Sequence, residues 1–222
     1  MLHDALLVFG KDIRIESRSR VALNQIVPFA LTVAVLFGLA LGPNRSVLQP
    51  ATAGLFWVAV LLSSILAVQR SFAVESADAA RDGLRLSGLD PAGIFLGKAL
   101  AVAAELLVLE VVLSAAVALL YGSDLAGAGV LLATCVIATA GLSTVGVLYG
   151  VLSSGLKVKD TLLPLLFLPV VAPVLLAATK AWDEALTSSA RQSVSWLSVL
   201  AVFAVVYVAI GLVAFGPLLE DS

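Results

Sequence analysis

The chain has 222 residues, 61% hydrophobic and 13% charged, with a mean hydropathy of +1.10, and a charge content about half the ~25% of soluble domains excludes a soluble globule. Thirteen Lys and Arg against fifteen Asp and Glu leave a formal charge of −2, so there is no basic footprint for nucleic acid. A single cysteine, Cys135, and a single histidine, His3, exclude an internal disulfide and a Cys/His metal constellation.

The first predicted element is an amphipathic arm over residues 1–24. Leu2, Leu6, Phe9 and Ile13 fall at i, i+4, i+7 and i+11, and Leu7 is followed by Lys11, Arg14 and Arg18 on a second stripe. That pattern describes a helix lying in the membrane interface. The arm is too long and too charged for a signal-peptide n-region and is read as retained. At about 20 apolar residues per crossing, six spans follow, at about 25–42, 51–69, 99–121, 127–152, 162–179 and 195–216. Five of them carry no charge. The third carries Glu105 and Glu110, and two central acids cost roughly 5 to 7 kcal/mol on insertion scales. Its Leu and Val residues return a similar amount, so this helix is expected to lean on its neighbours.

Alternation of the spans gives the chain its sidedness. Lys11, Arg14, Arg18, Arg20, Arg70, Arg81, Arg85, Lys98, Lys157 and Lys159 fall on one side, leaving only Arg45, Lys180 and Arg191 opposite. Because Lys and Arg gather on cytoplasmic segments, both termini are expected in the cytoplasm, with only short external loops.

Between spans two and three, residues 70–98 form the longest cytoplasmic connection. Glu75, Asp78 and Asp82 recur there at i, i+3 and i+7, with Arg81 and Arg85 alongside and Gly88 and Pro91 as stop signals. A carboxylate stripe on a short helix suits docking to a cytoplasmic partner, or equally a solvated helix with local ion pairs. The stretch Gly93-Ile-Phe-Leu-Gly97-Lys98-Ala99 fails as a phosphate cradle, because its glycines are one residue too close and Ala99 replaces the Ser or Thr that meets magnesium. No catalytic residue is assigned, and energy for any pumping must come from another chain.

Glu105 and Glu110 are the intramembrane charges, and such groups default to functional readings. Five residues apart, they point about 140° apart, which favours interhelical hydrogen bonding over a shared proton path. Pro164, Pro169 and Pro173 interrupt span five and each removes a backbone donor, so a kinked or broken helix is expected there. Gly38 with Gly42 and Gly146 with Gly150 permit close helix approach, for internal packing before dimerisation.

Two motifs carry a family resemblance. Trp57-Val-Ala-Val-Leu-Leu-Ser-Ser-Ile-Leu-Ala-Val-Gln-Arg70-Ser-Phe72, running on to Glu75 and Asp78, resembles the end of the second span and the start of the coupling segment in the heme exporter protein B (CcmB) family. Leu168-Pro169-Val-Val-Ala-Pro173-Val-Leu-Leu-Ala177 is similar to the doubled-proline fifth span of that family. The likeness covers length, six spans, cytoplasmic termini and both motifs in order. One departure is Ala79-Ala80-Arg81-Asp82 after Asp78, where the family usually has Gly, a small residue and Leu.

The resemblance implies an all-α membrane protein of six transmembrane helices with an N-terminal amphipathic interfacial helix, built like an ABC-2-type permease of the bacterial inner membrane. It places Arg70, Phe72, Glu75, Asp78 and, on the same acidic stripe, Asp82 in the ATPase-coupling segment, and has Pro164, Pro169 and Pro173 shape the fifth span. Implied partners are a separate ATPase binding ATP and magnesium (heme exporter protein A), heme exporter protein C, the small heme exporter protein D, a membrane heme chaperone and a second copy of the chain. Heme is the implied cargo. One His, one Met, one Cys and three Tyr argue against a permanent axial heme site in this chain and favour mechanical release of heme-loaded chaperone. The alternatives are an ABC-2 exporter of another lipid-like cargo, a proton-coupled secondary transporter using Glu105 and Glu110, and a structural assembly factor.

Overall fold

The computed structural model describes residues 1–20, 22–42, 44–77, 88–123, 127–154, 159–187 and 190–221, and every regular element among them is helical. Helix α1 covers Leu2–Ser19 and a π turn, Ala22–Ile26, leads into α2 (Val27–Ala40). The long helices are α3 (Arg45–Ala77), α4 (Pro91–Tyr121), α5 (Ala128–Ser154), α6 (Lys159–Leu186) and α7 (Ala190–Asp221). Arg45–Ala73, Pro91–Tyr121, Ala128–Ser153, Leu163–Leu186 and Ser193–Leu219 are each long and apolar enough to cross a membrane. At 14 residues, α2 reaches only about 21 Å of the ~30 Å hydrocarbon core. It passes the same test together with α1, which it meets at 55°. The protein is an all-α, polytopic membrane protein.

The ends of the helices follow local chemistry. Gly42, at φ 77°, takes the left-handed position just beyond α2, where a Cβ would be strained. Asp90 caps α4 by accepting the Ala92 N–H at 3.0 Å, with Pro91 in the first turn where its missing donor costs nothing. Both flanking helices reach into the connection expected at 70–98. Helix α3 continues to Ala77, and α4 begins at Pro91 and carries Lys98 inside it.

Small residues set the packing. Gly38 of α2 receives the Tyr121 ring, 3.3 Å from where a Cβ would stand, and the Tyr121 hydroxyl donates to the Ala34 carbonyl at 2.7 Å. On α5, Val68 fills the notch at Gly146 and Phe72 the notch at Gly150. Gly38, Gly146 and Gly150 are therefore internal seats for side chains, and Gly42 ends a helix. Gly150→Leu is expected to lower stability by about 1–3 kcal/mol, since the Phe72 ring must leave its notch. Thermal melts in detergent with size-exclusion light scattering check this, and the oligomeric state should not change.

At the end of the bundle away from α1, Phe56 and Trp182 stack with centroids 3.9 Å apart, and Trp57 meets Trp182 edge-on at 6.0 Å. Thr52 and Ser123 share a hydrogen bond at 2.6 Å, and Gln49 donates to the Gly122 carbonyl at 2.8 Å, tying α3 to the turn after α4. Helix α6 continues through Pro164, Pro169 and Pro173 without a break, so of the expected outcomes a break does not occur. Tyr207 of α7 donates to the Val170 carbonyl at 3.4 Å, beside the Pro169 carbonyl that Pro173 leaves without its helical donor.

Candidate functional site

The first half of α4 offers α1 a floor without side chains. A Cβ on Gly97 would stand 2.6 Å from the Ala5 carbonyl oxygen and 2.7 Å from Val8 Cβ. On Gly93 it would stand 2.8 Å from both the Met1 carbonyl oxygen and Asp4 Cβ. Glycines one turn apart let two helices approach to backbone contact, as in membrane helix pairs generally. The glycines that fail as a phosphate cradle are thus the seat of α1. The arm buries Ala5 and Val8 there, while Leu2 and Leu6 of its apolar stripe remain 72% and 64% exposed. At its start, the Met1 ammonium donates to Asp4 Oδ2 at 3.1 Å and holds that carboxyl below its ordinary range. The Asp90 N–H donates to the same oxygen at 3.4 Å.

Further along the contact sits Lys98, only 2% exposed. Its Nζ lies 3.8 Å from Asp12 Oδ2 and 4.9 Å from the centre of the Phe72 ring, inside the range of a cation–π contact. Lys11 Nζ reaches the other oxygen of Asp12 at 2.9 Å. Taking an ammonium out of water costs several kcal/mol unless a counter-charge accompanies it, so Lys98 makes α1 and the end of α3 mutually dependent. Phe72 passes the link to α5 through Gly150. Three helices meet at one buried cation, and Phe72 extends the contact to a fourth.

Two cavities adjoin this point. One of about 30 Å³ is bordered by Asp12, Glu16, Arg70, Ser71 and Glu105. The other, about 420 Å³, runs from Glu16, Ser17 and Arg20 over Ile26, Val27 and Ala67 to Leu109.

The residues singled out in the sequence therefore divide. Arg70 and Phe72 are half-buried on α3, and Phe72 points into the bundle. Glu75 lies near the end of α3, and Asp78 and Asp82 lie outside the described residues. Glu105 is half-buried toward α1 and Arg70. Glu110, 1% exposed, faces α5 instead, where Thr139 donates to its Oε1 at 2.6 Å and Cys135 lies beside it. The two carboxyls therefore line no common path. Thr139→Val is expected to cost about 1 kcal/mol in a detergent melt, the scale of interhelical hydrogen bonds in membranes, while Glu110→Gln, which still accepts, should cost less. Pro164 is half-buried, and Pro169 and Pro173 are exposed on the surface of α6. His3 is exposed on α1. Among the described residues no group of three or more His, Cys, Asp or Glu side chains is placed to hold a metal ion.

Sequence reasoning did not single out Asp12, nor the buried position of Lys98. The available signal was the small-residue row Gly93, Gly97 and Ala101 at i, i+4 and i+8, which marks a helix-contact face.

A polytopic helical bundle with an amphipathic helix seated on the first half of α4 defines a multi-pass, all-α membrane protein. The chain matches the model of the family described as CcmB protein over residues 3–222, and it belongs to that family. It is 34% identical over 181 residues to heme exporter protein B of Pseudomonas aeruginosa, covering 81% of each chain. It is 29% identical over 180 residues to heme exporter protein B of Haemophilus influenzae, again covering 81% of each. For heme exporter protein B of Paracoccus denitrificans the identity is 32% over 183 residues, covering 80% of each.

Proposed function

We propose that this chain is the permease subunit of an ABC-type exporter serving c-type cytochrome biogenesis, set in the bacterial inner membrane with both termini in the cytoplasm. Hydrolysis of ATP with magnesium takes place on a separate ATPase subunit, heme exporter protein A. Heme exporter protein C and the small heme exporter protein D complete the complex, whose task is heme export through release of a heme-loaded membrane chaperone. The names of the similar proteins and the ten-to-three asymmetry of Lys and Arg support this reading.

The observation that carries it is the Asp12–Lys98–Phe72 connection. Nucleotide-driven closure of the ATPase pushes on α1 and on the acidic stripe Glu75, Asp78 and Asp82. The buried Lys98 joins both inputs, so they reach α4 and α5 as one displacement. Helix α6, weakened at three prolines, bends to carry it to the far side. Arg70 and Glu105, beside the same junction, hold its polar edge. Since an ATPase dimer presents two equivalent grooves, the permease pairs as a homodimer. Its contact surface lies on the outward helix faces, because Gly38, Gly146 and Gly150 are already filled.

Charge reversal at Glu75 and Asp78 is the test. The double substitution Glu75→Lys with Asp78→Lys should reduce the ATPase recovered with the tagged permease at least tenfold, on the scale of lost charge-assisted contacts, with unchanged permease abundance. Equal recovery and equal ATP-dependent cytochrome c maturation would exclude this segment as the docking surface.

A further inference from the structure

The fold sorts the charges of α1 by sign. In sequence the arm is nearly neutral, with Asp4, Asp12 and Glu16 against Lys11, Arg14, Arg18 and Arg20. The three acids are half-buried and already engaged on the protein side. Asp4 accepts from the Met1 ammonium at 3.1 Å, Asp12 lies 2.9 Å from Lys11 and 3.8 Å from Lys98, and Glu16 borders the small well with Arg70 and Glu105. Arg14, Arg18 and Arg20 are exposed. The helix therefore turns acids toward its neighbours and cations outward.

A groove of about 360 Å³ runs along the outer surface, lined by Leu6, Leu7, Lys11, Arg14, Ile15 and Arg18. Lys11 is held by Asp12, so Arg14 and Arg18, one turn apart, carry the groove's unbalanced charge. Among the described residues no acid lines it. Leu6, Leu7 and Ile15 stand exposed beside the arginines. Cations next to exposed aliphatic side chains match an anionic amphiphile, which supplies a phosphate and an apolar layer together. The place of the arm favours lipid over a soluble acidic protein. Asp12 meets Lys98 at the edge of the apolar stretch of α4, and a single π turn joins α1 to α2, so the two arginines stand at headgroup depth. Basic clusters on an amphipathic helix beside a span attract anionic lipid.

We infer that the outer face of α1 binds a phospholipid of net negative charge, its phosphate between Arg14 and Arg18 and its chains against Leu6, Leu7 and Ile15. The lipid holds the outside of the arm as Gly93 and Gly97 seat the inside.

The test reconstitutes the full chain, with the subunits that purify with it, in nanodiscs of equal parts phosphatidylglycerol and phosphatidylcholine, which share a phosphate and differ in net charge. Lipids retained after transfer to mild detergent are identified by native mass spectrometry. Phosphatidylglycerol should be retained about fivefold or more over phosphatidylcholine at low salt, the scale of one cation at an anionic surface, and the excess should shrink at high salt. Arg14→Gln with Arg18→Gln should erase the excess at an unchanged melting temperature. Arg14→Lys with Arg18→Lys should keep it, since the charge remains. Equal retention in the parent, an excess that survives the glutamine pair, or an excess lost in the lysine pair would overturn the assignment. Loss of a co-purifying protein from the glutamine pair, with lipid retention unchanged, would overturn it too and make this face a protein docking surface.

Discussion

Gly97→Leu is expected to lift α1 off α4. A leucine there must displace the Ala5 carbonyl and Val8, which leave a Cβ only 2.6 and 2.7 Å, and one of these is backbone that cannot rotate away. Overpacking of this kind costs about 1–3 kcal/mol. The arm is the element that moves, because Leu2, Leu6, Leu7 and Ile15 are already exposed and suit a membrane surface as well as before. The readout is thiol labelling of Ala5→Cys in a Cys135→Ala background. Ala5 is 3% exposed, so the cysteine should be protected in the parent and labelled in Gly97→Leu, with ATP-dependent function lost alongside. Gly10→Ala is the control, since a Cβ there meets nothing within 4 Å and an interior helical Gly→Ala adds about 0.5–1 kcal/mol. Protection persisting in Gly97→Leu would mean that α1 does not use this seat.

The second large effect is asymmetric and concerns the buried pair. Asp12→Ala removes the carboxylate facing Lys98, whose ammonium is 2% exposed, and breaking a buried pair from one side costs about 3–5 kcal/mol. Lys98→Met should cost far less, because a straight apolar chain of similar length keeps the contact with Phe72 while Asp12 keeps Lys11. Combining Asp12→Ala with Lys98→Met should recover most of the loss. A double-mutant cycle on detergent melting curves measures the coupling; additive effects would show that the 3.8 Å approach contributes no energy.

These two effects also mark what the sequence showed and what it withheld. The apolar runs announced α3 to α7 because a membrane admits almost nothing else at that length, whereas Gly42, expected to seat a neighbouring helix, ends α2, and Pro91, expected to stop a helix, opens α4. The arm was legible as amphipathic, but Leu2 and Leu6 at the start of its stripe stay exposed while Ala5 and Val8 beside them are what it buries, and Phe9 and Ile13 are half-buried. Hydrophobic periodicity reports the face a helix offers to lipid or core, whereas contact between helices in a membrane rests on small residues and close backbones. Ala5, Val8, Gly93 and Gly97 therefore carried little weight until α1 lay on α4. Lys98 read as a loop cation because a lone Lys beside an apolar run normally faces water, and its partner Asp12 is 86 positions away in sequence. Phe72 read as a docking residue by motif, and its ring turned out to be directed into α5. The separation of Glu105 from Glu110 was legible from helix geometry alone, but that Thr139 receives the second of them required the fold.

Under the proposed function, this chain transmits work done by a separate ATPase subunit. The measurement that bears on it most directly is affinity purification of the chain from native membranes in mild detergent, with mass spectrometry of the co-eluting proteins and ATPase activity of the eluate. The account predicts a P-loop ATPase together with cytochrome maturation subunits, and nucleotide hydrolysis that falls in Gly97→Leu and in Asp12→Ala. Recovery of the chain without any ATPase, under conditions that keep a control ABC complex intact, would contradict it and would turn attention to Glu105 and Glu110 as sites of proton coupling.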